Sequence, residues 1–588
     1  MNIFAAVDAK VRSALNSLKA DGQLGSDVGF DGIEIQEPRD PAHGDVASNA
    51  ALVLARRAGL KPRDLAEALS RKLLDDKDIA AADVAGPGFL NIRLAECVWQ
   101  RLLQAILNDP ASFGRVGLGT GRRVHIEFVS ANPTGPMHIG HCRGAVFGDT
   151  LARLLGAAGF DVTREYYIND AGAQVDKLGL SALLRYREAL GGTIGDIPEG
   201  LYPGEYLKTV GEALVERYQG ALLERPEADA AHLARDLAIE LMLEDIKRDL
   251  AALGVRHDVF FSERALTEAG RDQVKAAIEK LRARGYIYEG HLPRPKGHDD
   301  EEWEDREQTL FRSTDFGDDV DRALMKSDGS YTYFAADVAY HDNKVERGYD
   351  HYVNVLGADH IGYVPRIKAA VRALSPDPDH PVDFETPICN LVKVVRDGEP
   401  VRMSKRAGTF VELRDVVDEV GRDPVRFMML MNKPETQIDF DLAKVVEQSK
   451  DNPVFYVQYA HARIASVLRK AFDEGLYDPV RTPSLSAADS ALLADPGERD
   501  LLRLLSRYPR AIENAARERE PHRIPRYLYE LASALHGQWA KGNDSPHLRF
   551  IRPDAPETTR ARLALVHAVK TVIGLGLALV GVSAPEEM

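Results

Sequence analysis

Cysteine is scarce in this sequence. The three present, Cys97, Cys142 and Cys389, lie far apart with no C-x-x-C spacing. That excludes a disulfide framework and a thiolate zinc site, and it fits a reducing compartment. Long hydrophobic runs are also missing. The longest, Thr571 to Ala584, falls short of the roughly 18 residues needed to span a bilayer. Lys570 and His567 interrupt its extension, so it reads as a buried helix. The start, Met1 to Ala20, reads as a short amphipathic helix carrying Asp8, Lys10, Arg12 and Lys19, without the continuous apolar centre of a signal peptide. Positive charge is in deficit: 75 Lys and Arg against 91 Asp and Glu give a formal net charge of -16. This counts against a nucleic-acid coat protein, but not against an RNA binder whose basic residues gather on one face, because the electrostatic footprint is local. No repeat period is present, so no repeat architecture is expected.

What remains is a chain of ordinary globular composition, 588 residues long. That is too long for one core, and about three to five domains are expected. It is organised around Ile126-Glu127-Phe128-Val129-Ser130-Ala131-Asn132-Pro133-Thr134-Gly135-Pro136-Met137-His138-Ile139-Gly140-His141. An apolar strand leads into a turn of Asn, Pro and Gly, and from Arg143 to Ala158 the apolar spacing is that of a helix. His138 and His141 therefore fall where helix-start N–H groups are unpaired, a place that favours anions. Two imidazoles flanking Gly140 can donate hydrogen bonds to a phosphate chain, and the glycine lets a nucleotide lie close to the backbone. By itself the four-residue pattern fits a helix cap or a packed turn at least as well. Far downstream, Val401-Arg402-Met403-Ser404-Lys405-Arg406-Ala407-Gly408-Thr409 supplies two adjacent cations. It follows a predicted hairpin, Val392 to Val401, that turns at Asp397-Gly398.

In this order and separation the two stretches resemble the HIGH and KMSKS signatures of the class I aminoacyl-tRNA synthetases, and the chain resembles arginyl-tRNA synthetases in particular. The fold class expected is α/β multidomain: a Rossmann-like parallel-sheet catalytic domain with an insertion, an N-terminal α+β domain, and a C-terminal all-helical bundle. Strand-like runs do alternate with helical stretches from Arg122 to about Asn432. Between about Leu190 and Asp319 long helical patterns take over, with an acidic run, Asp299 to Glu307, that reads as a solvated loop without chemistry. The expected domains are residues 1–112, 113–450 with the insertion at about 190–319, and 451–588. Pro38 to Asp45 and the turn Gly86-Pro87-Gly88-Phe89 are similar to the N-terminal domain that in this family touches the D-loop of tRNA. Tyr456 to Arg463 and the ending Val582 to Met588 are similar to its anticodon-binding domain.

The resemblance implies an arginine–tRNA ligase, which activates arginine with ATP and transfers it to the 3′ end of its cognate tRNA, releasing AMP and pyrophosphate. Neither step needs a covalent enzyme intermediate; positioning and charge neutralisation suffice. His138, His141, Lys405 and Arg406 would be catalytic. ATP would be held by His138, Gly140, His141, Met403, Ser404 and Lys405, with Gly357 and Asp359 of Gly357-Ala358-Asp359-His360 against the ribose. Mg²⁺ would arrive with ATP, held mainly by phosphates and water, without a protein metal site. Many members lack the second lysine of KMSKS and carry a lysine just before HIGH; here Thr134-Gly135-Pro136 stands at that place and Lys405 is present, so one cation is supplied either way.

A guanidinium is a planar fork whose natural partners are carboxylates. The resemblance gives it Glu127, Tyr333 and Asp337, the last two one helical turn apart on the same face, and puts Asn132 and His138 at the amino-acid end. By the resemblance Phe89 would stack on a tRNA base and Asn91 bond to it; by themselves the two residues fit a core aromatic and a strand polar residue at least as well. Tyr456, Tyr459 and Arg463 share a helix face, which suits RNA stacking and phosphate contact or ordinary packing alike. A monomer in a bacterial cytoplasm, with no membrane partner, is expected. A cysteinyl relative would show zinc-binding thiolates. A small nucleotidyltransferase would be shorter and lack the helical C-terminal part, and a synthetase-like RNA binder with a decayed site would have no reason to keep an anionic pocket.

Overall fold

The computed structural model describes residues 1–38, 40–268, 270–292, 306–401, 411–478, 485 and 488–588. They form two compact units, Met1–Gly117 together with Ser449–Met588, and Leu118–Gln448.

In the first unit, strands β1 (Ile35–Gln36), β2 (Val46–Ser48), β3 (Ile79–Ala85) and β4 (Phe89–Leu94) form an antiparallel sheet in the order β1-β2-β4-β3. Alternation along β4 buries Leu90, Ile92 and Leu94 and turns Phe89, Asn91 and Arg93 to the other face. Helix Pro62–Leu73 starts on a proline, which costs nothing in a first turn, and buries Leu65, Leu69 and Leu73 at fourfold spacing. The remainder of the unit is built on four long helices, Pro453–Asp473, Pro496–Glu518, Arg523–Asp544 and Pro556–Leu579. The last is longer than the apolar run suggests, and by length and composition it could cross a membrane. Its Leu563, Val566, Val569, Ile573 and Leu577 are buried in the helical core instead. The N-terminal and C-terminal parts, expected as separate domains, belong to this one unit; Arg499 pairs with Glu96 at 2.9 Å and Arg503 with Asp45 at 3.2 Å.

The second unit is built on β5 (Arg123–Glu127), β6 (Asp161–Ile168) and β7 (Val259–Ser262), with β11 (His351–Asn354) and β13 (Asp383–Glu385) further along the chain. All five are parallel, in the order β13-β11-β5-β6-β7. The chain winds from β5 outward through β6 to β7, then returns to place β11 on the other side of β5. The carboxyl ends of β5 and β11 therefore flank the crevice where such sheets bind ligands. Helix Ile139–Ala157 follows β5, helix Tyr333–Glu346 precedes β11, and helix Val364–Leu374 joins β11 to β13.

Within the expected insertion at about 190–319, β7 pairs with β6 as the outermost strand of the sheet. What is added before β7 is a helical subdomain, in which helices Leu207–Tyr218 and Glu227–Ala252 pack against Ala173–Ala189 around their own apolar core. After β7 come β8 (Ile287–Gly290), β9 (Gln308–Phe311) and β10 (Arg322–Met325), a small antiparallel sheet. Most of the acidic run Asp299 to Glu307 lies outside the described residues.

Past Leu356, β12 (Leu356–Gly357) pairs with β14 (Ile388–Cys389), and β15 (Val392–Arg396) pairs with β16 (Glu399–Pro400) and β17 (Ile438–Asp441). The predicted β15–β16 hairpin is present. Asp397 and Gly398 have φ of 51° and 83°, the pair of positive values that a two-residue turn requires, and the Asp441 carboxylate accepts both turn N–H groups at 3.3 Å.

Candidate active site

The turn after β5 is built under strain. Val129 and Ser130 have φ of 72° and 43°, and a left-handed β-branched residue is rare enough to mark a functional constraint. Tertiary bonds hold the turn: the Ser130 hydroxyl donates to Glu127 at 3.1 Å and accepts from the Tyr167 N–H at 3.0 Å, while Asn169 donates to the Ser130 carbonyl at 3.3 Å. Tyr206 donates to the Thr134 carbonyl at 2.5 Å.

At the start of helix Ile139–Ala157 the two imidazoles do cap it. His138 Nδ1 accepts the Gly140 N–H at 3.1 Å, and His141 Nδ1 accepts the His138 N–H at 3.3 Å, a reciprocal capping box. Capping and ligand binding are not alternatives here. With Nδ1 an acceptor on both rings, each neutral imidazole carries its proton on Nε2, where it can serve as a donor. The rings stand 3.9 Å apart. A Cβ on residue 140 would lie 2.8 Å from His138 Nδ1 and Cε1, so the glycine lets that ring lie over the backbone.

Two backbone bonds join this turn to the chain that follows the cationic stretch. Ile139 N–H donates to the Val411 carbonyl at 3.2 Å, and Leu413 N–H donates to the Met137 carbonyl at 2.8 Å. Arg402 to Phe410, and with them Met403, Ser404, Lys405 and Arg406, lie outside the described residues. Their two ends are fixed, Val401 on β15 by its N–H to the Val394 carbonyl at 3.0 Å, and Val411 beside the histidine turn. Across the crevice Gly357 ends β12, and Asp359, mostly exposed, stands 3.5 Å from His360.

Beside the turn is a cluster of buried acidic side chains. Helix Tyr333–Glu346 is capped by Thr332, whose hydroxyl accepts the Ala335 N–H at 3.3 Å. Tyr333 is 71% exposed, and its ring lies over Gly172, where a Cβ would be 3.2 Å away. Two residues on, Gln174 accepts a bond from Asn132 at 2.9 Å, so Asn132 and Tyr333 border the same segment. Asp337 accepts a hydrogen bond from the Tyr363 hydroxyl. Burial, reinforced by the charge of Glu127, lifts the Asp337 carboxyl to about 6. Glu127 itself is not a spare carboxylate. Lys344 pairs with it, Tyr340 donates to it at 3.2 Å, and Ser130 takes its other oxygen. Burial works against its charge, but Lys344 outweighs burial and holds Glu127 below the usual carboxylate range. Lys344 also donates to Asn354 at 2.9 Å. The neighbouring Glu165 is compensated by Arg347, which donates to it at 3.0 Å.

A further buried carboxylate beside Asp337 is one that sequence reasoning missed. Glu263 opens the short turn Glu263–Leu266 directly after β7. Burial, then the charge of Asp337, raise it to about 7, with the Tyr167 hydroxyl opposing. Glu263 and Asp337 are thus two neighbouring carboxyls that burial holds up toward neutral pH.

Three family models match, one after another. The model of the arginyl tRNA synthetase N terminal domain covers residues 5–94, that of the tRNA synthetases class I (R), catalytic domain covers 102–191 and 296–467, and that of the DALR anticodon binding domain covers 457–588. The chain is similar to the arginine–tRNA ligases of Xanthobacter autotrophicus, 58% identical, and Methylobacterium nodulans, 57% identical, each over the whole of both chains. The chain belongs to the arginyl-tRNA synthetases. Its fold is also that of the Thermus thermophilus arginyl-tRNA synthetase structure, with a TM-score of 0.72 at 22% identity over the full length of both. In this synthetase the part that the catalytic model passes over, 192–295, holds the helical subdomain and β7.

In its other unit, the synthetase presents two aromatic surfaces. Phe89 is 41% exposed on β4, and Asn91, half-buried, lies two residues on along the same face; Phe89 is therefore not core. On helix Pro453–Asp473, Tyr456, Tyr459 and Arg463 do share a face. The Tyr456 ring is 4.5 Å from that of His536 and 5.2 Å from that of Tyr529, and the Arg463 guanidinium lies 3.7 Å over Trp539. Tyr459 stays 37% exposed. The helix Arg523–Asp544, which sequence reasoning passed over, thus contributes half of this surface.

Proposed function

We infer that the chain ligates arginine to its cognate tRNA: ATP and arginine form arginyl-adenylate and pyrophosphate, and a terminal ribose hydroxyl of the tRNA then takes the acyl group and releases AMP. The observation that carries the reading is the backbone pairing of residues 411–413 with 137–139 at the sheet's crevice, together with the buried, raised carboxyls of Asp337 and Glu263.

ATP lies across the start of helix Ile139–Ala157, over Gly140, with its ribose toward Gly357 and Asp359. His138 and His141 donate from Nε2 to the phosphates, and the helix N-terminus adds its partial positive charge. Lys405 and Arg406, with Met403 and Ser404 beside them, meet the phosphate chain from the opposite side and take up charge as pyrophosphate departs. The donors at this place are imidazole and backbone N–H groups rather than paired carboxylates, so Mg²⁺ comes with ATP and keeps mostly phosphate and water ligands.

Arginine enters with its guanidinium between Asp337 and Glu263, Tyr333 covering it and Glu127 shaping the floor while neutralised by Lys344. Its amino-acid end reaches Asn132 and His138, which brings the carboxylate to the α-phosphorus. Lysine offers a point charge where the site presents a fork, and the unpaired carboxylate costs about 1–3 kcal/mol. In the other unit Phe89 and Asn91 contact the tRNA elbow, and Tyr456, Tyr459 and Arg463 the anticodon loop. The enzyme acts as a cytoplasmic monomer.

The test is ATP–pyrophosphate exchange with each of the amino acids, with and without tRNA. Exchange with arginine alone, in the presence of tRNA, is expected. Exchange with lysine in place of arginine would overturn the pocket assignment.

A further inference from the structure

Helix Pro496–Glu518 carries arginines at 499, 503, 507 and 510, and all four reach the N-terminal segment of the same unit. Arg499 pairs with Glu96 at 2.9 Å, and Ser490 donates to the same carboxylate at 2.7 Å. Arg503 pairs with Asp45 at 3.2 Å. Asp45 in turn accepts the N–H of Leu94 at 2.9 Å, so Arg503 is one side chain away from β4, the strand that presents Phe89 and Asn91. Arg510 donates to the Ile35 carbonyl on the edge strand β1 and lies 4.5 Å over the Phe4 ring.

Arg507 does something the others do not. One nitrogen pairs with Glu37 of the N-terminal segment and another with Glu530 at 2.7 Å, on helix Arg523–Asp544. Glu530 is adjacent in sequence to Tyr529, whose ring is 5.2 Å from that of Tyr456. A single guanidinium fork, rigid and with donors on two edges, therefore ties the segment carrying Phe89 to the helix that forms half of the aromatic surface. Burial leaves Glu37 raised above the ordinary carboxylate range despite Arg507, while its side chain stays 39% exposed against 30% for Arg507, so the pair lies at the surface of the unit.

We propose that Arg507, through Glu37 and Glu530 and assisted by Arg503 and Asp45, is a positioning residue for tRNA: it fixes the spacing between the β4 surface and the Tyr456–Tyr459 surface so that both engage one RNA molecule together. Two contacts on one rigid body bind far more tightly than the same two on parts free to move, because the second contact becomes intramolecular. The proposal rests on the reading that both surfaces contact tRNA.

The experiment uses the full-length enzyme and measures KM for tRNA, arginine and ATP in aminoacylation. Glu37→Gln and Arg507→Gln should each raise KM for tRNA by about 5- to 10-fold while KM for arginine and ATP stays within about twofold. Phe89→Ala and Tyr459→Ala are made alone and together, in the parent and in Arg507→Gln. Their effects on tRNA should be coupled in the parent and close to additive once Arg507 is gone. Arg507→Lys, which keeps a charge but not the two-edged fork, should recover only part of the loss. Unchanged KM for tRNA in both Gln variants, with the aromatic variants still impaired, overturns the positioning role and leaves the surfaces standing. Unchanged KM for tRNA in Phe89→Ala and Tyr459→Ala overturns the reading of the surfaces instead. Should Arg507→Gln fail to fold, Glu37→Gln, whose carboxylate is partly exposed, decides by the same measurements.

Discussion

His138 and Glu412 face one another across an antiparallel backbone bridge. One belongs to the turn after β5 and the other to the chain just past the cationic stretch. The bonds on either side of the bridge, Ile139 to Val411 and Leu413 to Met137, clamp these distant segments into a common floor at the mouth of the crevice.

The position of the His138 ring depends on the absence of a side chain at 140. In Gly140→Ala the new methyl would crowd His138 Nδ1 and Cε1 at 2.8 Å and turn the ring off its cap. The rate of pyrophosphate exchange should fall about 10- to 100-fold. The melting temperature should change little, since alanine suits a helix. A variant with full exchange activity would show that the ring's placement is immaterial.

Arginine binding should depend on pH. Asp337 and Glu263 titrate near about 6 and about 7 in the folded protein, and only their ionised forms attract a guanidinium. Affinity is thus fully present above neutral pH and is lost as pH falls through these values. Calorimetry should show arginine affinity dropping about 10- to 20-fold from about pH 8 to about pH 6, with proton release on binding. In Glu263→Gln the inflection near neutrality should vanish and the lower one persist. A flat profile in the parent would remove both carboxylates from the site.

Removing Asp337 should separate the two substrates. Asp337→Ala removes the partner of one edge of the guanidinium fork and leaves Tyr363 without its acceptor. KM for arginine should rise by about 30- to 100-fold, the equivalent of about 2–3 kcal/mol, with KM for ATP changed less than about threefold. Equal losses for both substrates would take Asp337 out of the pocket.

Lys344 is a test of the pocket floor. Lys344→Met strands Glu127 as a buried, uncompensated charge and should cost about 3–5 kcal/mol in denaturant unfolding. The double variant Glu127→Gln with Lys344→Met removes both charges and should recover most of that stability. If the single variant were as stable as the parent, the pair would not be buried as the structure has it.

Several elements were readable from the chain because each follows a rule that acts over a few adjacent residues. The strand–turn–helix at 126–157 is one, since apolar alternation, Pro-Thr-Gly-Pro and a polar cap occur in succession. The Asp397-Gly398 hairpin is another, because few residue pairs accept two positive φ values in a row. Tyr333 and Asp337 were readable as neighbours for the same reason, one helical turn being a local distance.

Glu263 was not readable as a neighbour of Asp337. Its strand, Val259–Ser262, sits between helical stretches and passes for part of an insertion. The one available sign was an apolar β-prone run ending on a carboxylate, as Ile126-Glu127 also does. Nor could the sequence say that Glu127 is already satisfied by Lys344, or that the first and last segments of the chain make one unit.

The sequence by itself determined the secondary elements, the order of the motifs and the kind of chemistry, because backbone preference and residue type are properties of short stretches. Only the tertiary structure decided which carboxylates stay available to a cation. That depends on which cation lies within a few ångströms and how much water is excluded, and both are set by strands and helices that meet from opposite ends of the unit.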